Sequence, residues 1–131
     1  MVKRILPILL AALLLTGCQQ KVPVRVVESI VVTAGEGPLA RQRVYRQEEA
    51  MRPVLNALRL LGSRVNPDRD PENLPIPCWR ITLIHSDGSH RDYRLRGSRY
   101  IQENQGAWQQ CDPDRMEDLI LLLRSLPEPP L

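Results

Sequence analysis

Hydrophobic and polar positions change period several times along this chain, and each change marks an element. Residues 25–33 concentrate Val26, Val27, Ile30, Val31 and Val32, the β-branched enrichment of a strand. Ala34-Gly35-Glu36-Gly37-Pro38 is turn chemistry. Residues 39–46 then set Leu39, Arg41, Arg43 and Tyr45 against Ala40, Gln42 and Val44, which predicts a second strand closing a hairpin. Over 47–61 the period lengthens: Met51, Val54, Leu55, Leu58 and Leu61 fall on one face of an amphipathic helix. Pro53 is awkward there, because proline suits only the first helical turn. The regular helix is therefore expected either to start near Arg52 or to follow an offset turn over 48–52. Gly62 stands where a C-terminal cap is expected. Pro67, Pro71, Pro75 and Pro77 make residues 66–77 an irregular connection.

Alternation returns at 79–85, with Ile81 and Leu83 against Arg80 and Thr82. Ser86-Asp87-Gly88-Ser89 supplies a hairpin turn. Residues 90–96 come back with Tyr93 and Leu95 against Asp92, Arg94 and Arg96, and shorter strands follow at 99–103 and 107–110. Asp112-Pro113 opens a helix as N-cap and first-turn proline. Met116, Leu119, Ile120, Leu122, Leu123 and Leu126 are its apolar positions, and Pro127, Pro129 and Pro130 end it. The predicted order β-β-α-β-β-β-β-α is an α+β fold: a twisted antiparallel sheet with two helices on one face and the other face free.

The N-terminus follows none of these periods. Met1-Val2-Lys3-Arg4 is basic, residues 5–15 are apolar apart from Pro7, and Leu15-Thr16-Gly17-Cys18 follows. Eleven residues are too few to span a bilayer, which takes about 20. A basic start, a short apolar stretch and small residues at a cleavage point are what secretion machinery reads, and the ending resembles a bacterial lipobox, in which the cysteine takes lipid and becomes the new N-terminus. The expected organisation is a signal peptide at 1–17, lipidated Cys18 with a short tether at 18–24, one α+β domain at 25–127 and a proline-rich tail at 128–131. The expected location is the extracytoplasmic face of the cell membrane, with the lipid as the membrane contact.

Charge changes the picture once the signal is set aside. The formal net charge of +3 falls to +1, because Lys3 and Arg4 leave with the signal. That balance excludes a strongly basic nucleic-acid binder. Lipidation of Cys18 leaves Cys78 and Cys111 as a candidate disulfide in an oxidising compartment. In a simple meander, however, three strand spacings would separate them by roughly 14 Å, against the Cα separation of about 7 Å that a disulfide tolerates.

Catalytic signals are sparse. No Gly-x-Ser-x-Gly elbow, glycine-rich phosphate loop or cysteine–histidine signature is present, and no cofactor is implied. His85 and His90 flank one hairpin with Asp87 between them, and would be the residues of a small hydrolase or metal-dependent enzyme. The stronger candidate is a binding face of Arg80, Arg94 and Arg96, with Arg91 and Arg99 beside them. If Ile81, Leu83 and Leu95 face the helices, the first three arginines point the other way, and guanidinium groups bind carboxylates and phosphates through paired hydrogen bonds. Trp79, Tyr93, Tyr100 and Trp108 carry most of the aromatic bulk in a chain without phenylalanine, and serve either packing or binding.

The chain resembles a family of small clostridial-type lipoproteins without established activity. The resemblance rests on the lipobox Leu15-Thr16-Gly17-Cys18, on Tyr45-Arg46-Gln47-Glu48-Glu49-Ala50-Met51 and Leu55-Asn56-Ala57-Leu58-Arg59-Leu60-Leu61, on Ile81-Thr82-Leu83-Ile84-His85-Ser86-Asp87-Gly88-Ser89, and on Tyr93, Tyr100 and Trp108. It implies an α+β lipoprotein domain and lends no catalytic residues. The expected function is a non-enzymatic envelope module that meets a protein or an anionic polymer through its outer sheet face. The alternatives are the His85/His90 enzyme and an inhibitory or structural lipoprotein.

Overall fold

The computed structural model describes residues 26–35, 37–62, 65–74, 76 and 78–129. Cys18, its tether and the last two residues of the tail lie outside them. The described strands are β1 (Val27–Ala34), β2 (Arg41–Tyr45), β3 (Cys78–His85), β4 (His90–Arg96), β5 (Tyr100–Glu103) and β6 (Trp108–Gln110). They form one antiparallel sheet in the order β2-β1-β3-β4-β5-β6. Helices α1 (Glu48–Arg59) and α2 (Pro113–Ser125) complete an α+β fold. The chain leaves the sheet edge at β2, passes through α1 and re-enters at β3 beside β1, so the opening hairpin and the closing meander share one sheet.

Alternation decides which side is buried. Ile30 and Val32 of β1, Ile81 and Leu83 of β3, Tyr93 and Leu95 of β4 and Ile101 of β5 share one face. They form one core with Met51, Val54, Leu58 and Leu61 from the first helical segment and Met116, Leu119, Ile120, Leu123 and Leu126 from the second. Both helices therefore lie on the same side. The C-terminal segment folds back onto this side, where the Tyr45 hydroxyl donates to the Pro127 carbonyl at 2.7 Å and Arg43 pairs with Glu128 at 2.7 Å.

Helix α1 begins earlier than the proline suggests. The Gln47 carbonyl accepts the Ala50 and Met51 N–H groups, and Glu48 and Glu49 sit in the first turn, where the helix dipole favours negative charge. Pro53 is tolerated inside the helix, on its exposed side, and only the N–H that would have reached the Glu49 carbonyl is missing. At the other end Gly62 takes φ +72°, the left-handed conformation of a helix stop. In α2, Asp112 caps the Asp114 N–H at 3.0 Å with Pro113 in the first turn.

The sheet's second face is not free, contrary to expectation. Residues 65–74 and 76 cross it as a strap, with Val65 bridged to Gln110 and Pro71 buried. Gly97, in the β4–β5 turn, has φ +57°, and a Cβ there would meet Ile76 Cδ1 at 3.1 Å. Glycine thus serves both the turn and the close passage of the strap.

Pro53→Ala restores a helix hydrogen bond at an exposed site. It is expected to raise unfolding stability by up to about 3 kcal/mol, read from the urea midpoint at unchanged slope. A variant of lower stability would show that Pro53 positions α1 rather than burdens it.

Candidate functional site

The registers align one row of side chains across all six strands on the face away from the helices. Gln42 pairs with Thr33, Thr33 with Arg80, Arg80 with Arg94, Arg94 with Gln102, and Gln102 with Trp108. Every member carries a hydrogen-bonding group, and five strand spacings make the row about 24 Å long. Arg80 and Arg94 are direct cross-strand neighbours, an arrangement that costs stability because like charges repel.

Carboxylates relieve that repulsion. Asp92 lies 3.5 Å from Arg80 Nε and accepts the Thr82 hydroxyl at 2.7 Å. Arg94 Nη1 donates to Glu72 of the strap at 2.8 Å and to Gln102 at 3.1 Å, and its guanidinium lies 5.2 Å from the centre of the Trp108 ring. Trp108 Nε1 donates to the same Glu72 oxygen at 3.0 Å. Arg94 and then Trp108 hold the Glu72 carboxyl below the ordinary carboxylate range.

Two further contacts fasten the strap. Buried Arg96 donates to the Leu74 carbonyl at 2.7 Å, and the Tyr100 hydroxyl donates to Asp68 at 2.6 Å. The second bond lowers the Asp68 pKa and raises that of Tyr100, because it favours the carboxylate and the protonated phenol together.

What stays open is a groove beside the strap. One hollow of about 490 Å³ is lined by Thr33, Gly35, Cys78, Arg80, Arg94 and Glu72 among others. Another, of about 460 Å³, adjoins it through Thr33, Ala40 and Arg80 and continues to Gln42, Thr82, His90 and Asp92. The Arg80 side chain is 50% exposed where the two meet, against 21% for Arg94. Leu39, 90% exposed, belongs to the turn that precedes β2, next to Ala40 in the groove wall.

Arg80, Arg94 and Arg96 thus share the face away from the helices, but Arg94 and Arg96 are engaged by the strap. Arg91 belongs elsewhere: it stands opposite Leu83 on the helix-bearing face and pairs with Glu103 at 3.6 Å. Arg99 lies in the exposed β4–β5 turn, outside the groove lining.

The histidine constellation also separates. His90 is opposite Ile84 on the groove face, whereas His85 is one position on, on the helix-bearing face. His85 is buried, and neither of its ring nitrogens has a hydrogen-bond partner among the described residues. Asp87 holds the turn by accepting from the Ser89 N–H and hydroxyl. Among the described residues no group of three or more His, Cys, Asp or Glu is placed to hold a metal ion.

Cys78 and Cys111 are buried thiols not joined to each other. Cys78 is in β3 opposite Arg96 and lines the groove, while Cys111 follows β6 and belongs to the core under the helices. Two strands intervene and the faces differ, which explains the missing bond.

Sequence reading missed Thr33, Gln42 and Gln102 of the row, and the strap residues it missed are Asp68, Glu72 and the Leu74 carbonyl. The strap residues sit in a stretch without period, and only Asp70, which caps the Glu72 N–H at 3.1 Å, is a local sign of order. Comparison with protein-family models, with curated proteins and with solved structures gives no match, so the chemistry of the groove rests on these residues alone.

The strap contacts imply a pH window. Glu72 and Asp68 have lowered pKa values, so their contribution is complete above the unfolded carboxylate range near 4 and is lost as pH falls through the folded values. Tyr100 is raised, so its contribution is complete below about 10 and is lost as pH rises through the folded value. Amide-exchange protection of residues 65–74 is expected to be flat from about pH 5 to 9 and to fall at both ends before the core opens. Protection falling only together with the core would contradict a separately held strap.

Proposed function

We propose that this protein is a lipid-anchored, non-enzymatic module of the extracytoplasmic membrane face that binds an anionic envelope polymer along the part of the outer sheet face that the strap leaves open. The single observation that carries this reading is the row Gln42–Thr33–Arg80–Arg94–Gln102–Trp108, a straight polar track with two adjacent guanidiniums. Adjacent like charges on a strand pair are a stability cost that an anionic ligand repays. A track that opens at Gln42, Thr33 and a half-exposed Arg80 and runs on beneath the strap suits a linear chain of repeated charge better than a compact metabolite.

Two features favour a polymer over the alternatives. The groove lining of Thr33, Gln42, Thr82, Asp92 and Arg80 lacks the apolar, aromatic centre of a protein–protein interface. The anchor, by sequence order, enters at the Val27 end of β1, whereas Arg80 pairs with Thr33 near the other end. Six steps of about 3.4 Å put the arginines roughly 20 Å from the end where the lipid tether joins. That distance favours ligands of the envelope over headgroups of the anchoring bilayer. No described helix is long and apolar enough to cross a membrane. On this reading Cys18 supplies the attachment.

Arg80→Glu is the informative change, because Arg94 and Arg96 also hold the strap. It is expected to weaken binding of polyglutamate, polygalacturonate or polyphosphate by at least about tenfold while the domain still unfolds in one cooperative urea transition, since the residue lies on the exposed track. Cys18→Ser is expected to move the protein from the detergent-extracted membrane fraction to the aqueous one. Failure of all three polymers to bind the unaltered protein, or capture of an acidic protein in their place, would overturn the polymer reading.

A further inference from the structure

Along the polar track one station is already filled. Glu72 Oε1 receives Arg94 Nη1 and Trp108 Nε1 together, so a carboxylate sits over the β4–β6 end of the row. The two donors and Gln102 stand on three neighbouring strands in direct register, and Gln102 steadies Arg94 from the same row. The receptor therefore belongs to the sheet. Its occupant belongs to the strap, a segment whose described regular structure is one short turn at Pro71–Asn73 and one isolated bridge at Val65.

We propose that Glu72 is an internal stand-in for the ligand, and that a carboxylate-bearing chain entering beside Arg80 takes the Arg94–Trp108 seat by displacing Glu72. This rests on the groove being a binding site for an anionic chain, and adds the ligand's chemical class and the contact it must break. The exchange is close to balanced by construction. One carboxylate leaves two N–H donors and another replaces it, so neither the guanidinium nor the indole N–H is left unsatisfied. The preference for a carboxylate follows from the occupant itself, because Arg94 Nη1 and Trp108 Nε1 converge on one oxygen of the Glu72 carboxylate. The first hollow already brings Arg80, Arg94 and Glu72 to one wall, so a ligand held at Arg80 reaches the seat without crossing the sheet. The strap then acts as a competitor tethered at high effective concentration, and ligand affinity is set by how firmly Glu72 is held.

The test uses Glu72→Gln, which keeps an acceptor for Arg94 and Trp108 but removes the charge that competes. Fluorescently labelled hexaglutamate is expected to bind this variant about fivefold more tightly than the unaltered protein, the scale of one partly exposed ion pair. Polyphosphate of matched charge is expected to gain less than hexaglutamate. Binding of hexaglutamate is also expected to shift Trp108 emission in a Trp79→Phe background, because the indole N–H changes partner. Equal or weaker hexaglutamate binding by Glu72→Gln, or an equal gain for polyphosphate, would overturn the stand-in while leaving the groove intact if Arg80→Glu still abolishes binding. Absence of binding to every variant would remove both readings.

Discussion

The cross-strand pairing that sets Leu83 beside Ile30, Tyr93 beside Ile81 and Ile101 beside Leu95 also fixes what stands on the reverse of the sheet. Side chains alternate with period two, so burying those residues under α1 and α2 forces Thr33, Arg80, Arg94, Gln102 and Trp108 into one line on the other side. A slip of one residue would put Arg80, Arg94 and Arg96 into the core and expose its isoleucines. The apolar core therefore enforces the polar track. The track needs no folding determinant of its own, and its two adjacent guanidiniums persist although they repel each other.

The strap relieves part of that repulsion through Glu72 at Arg94. A sheet covered by helices on one side leaves the other to water, and a solvated arginine surface would satisfy the sequence without further elements. Here the chain spends a proline-rich connection on that surface and delivers Asp68, Glu72 and the Leu74 carbonyl to Tyr100, Arg94 and Arg96. The bonds are polar and partly exposed, so this layer is held far less firmly than the helix layer, which buries most of the apolar side chains. One sheet thus carries an apolar cover on one face and a hydrogen-bonded one on the other.

How much of this was legible in the sequence follows from the range of the interactions. The strands around Ile81 and Tyr93, the Asp112-Pro113 cap and the helix stop at Gly62 were legible because each is a local pattern. The start of α1 was not. Pro53 argued for a beginning near Arg52, but tertiary burial of Met51 and Val54 carries the helix back to Glu48. The placements of His85, Arg91 and Cys111 were open to counting parity, since His85 shares the parity of Ile81 and Leu83, and Arg91 that of Tyr93. The strap's landing site was out of reach, because Glu72 and Trp108 are 36 residues apart and lie in no common period.

The strap's contacts decide which arginine is suited to testing the proposed binding. Arg96 is buried against a strap carbonyl, and Arg94 is shared among Glu72, Gln102 and Trp108, so a change at either alters the cover as well as any ligand contact. Arg80 is tied only loosely to Asp92 and stands at the junction of both hollows. Its neighbours Thr33 and Thr82 are small and uncharged, and both line the hollow. Charge on the track thus grades from accessible at Arg80 to occupied at Arg94. A polymer would engage such a gradient from the open end, meeting Arg80 before it competes with Glu72.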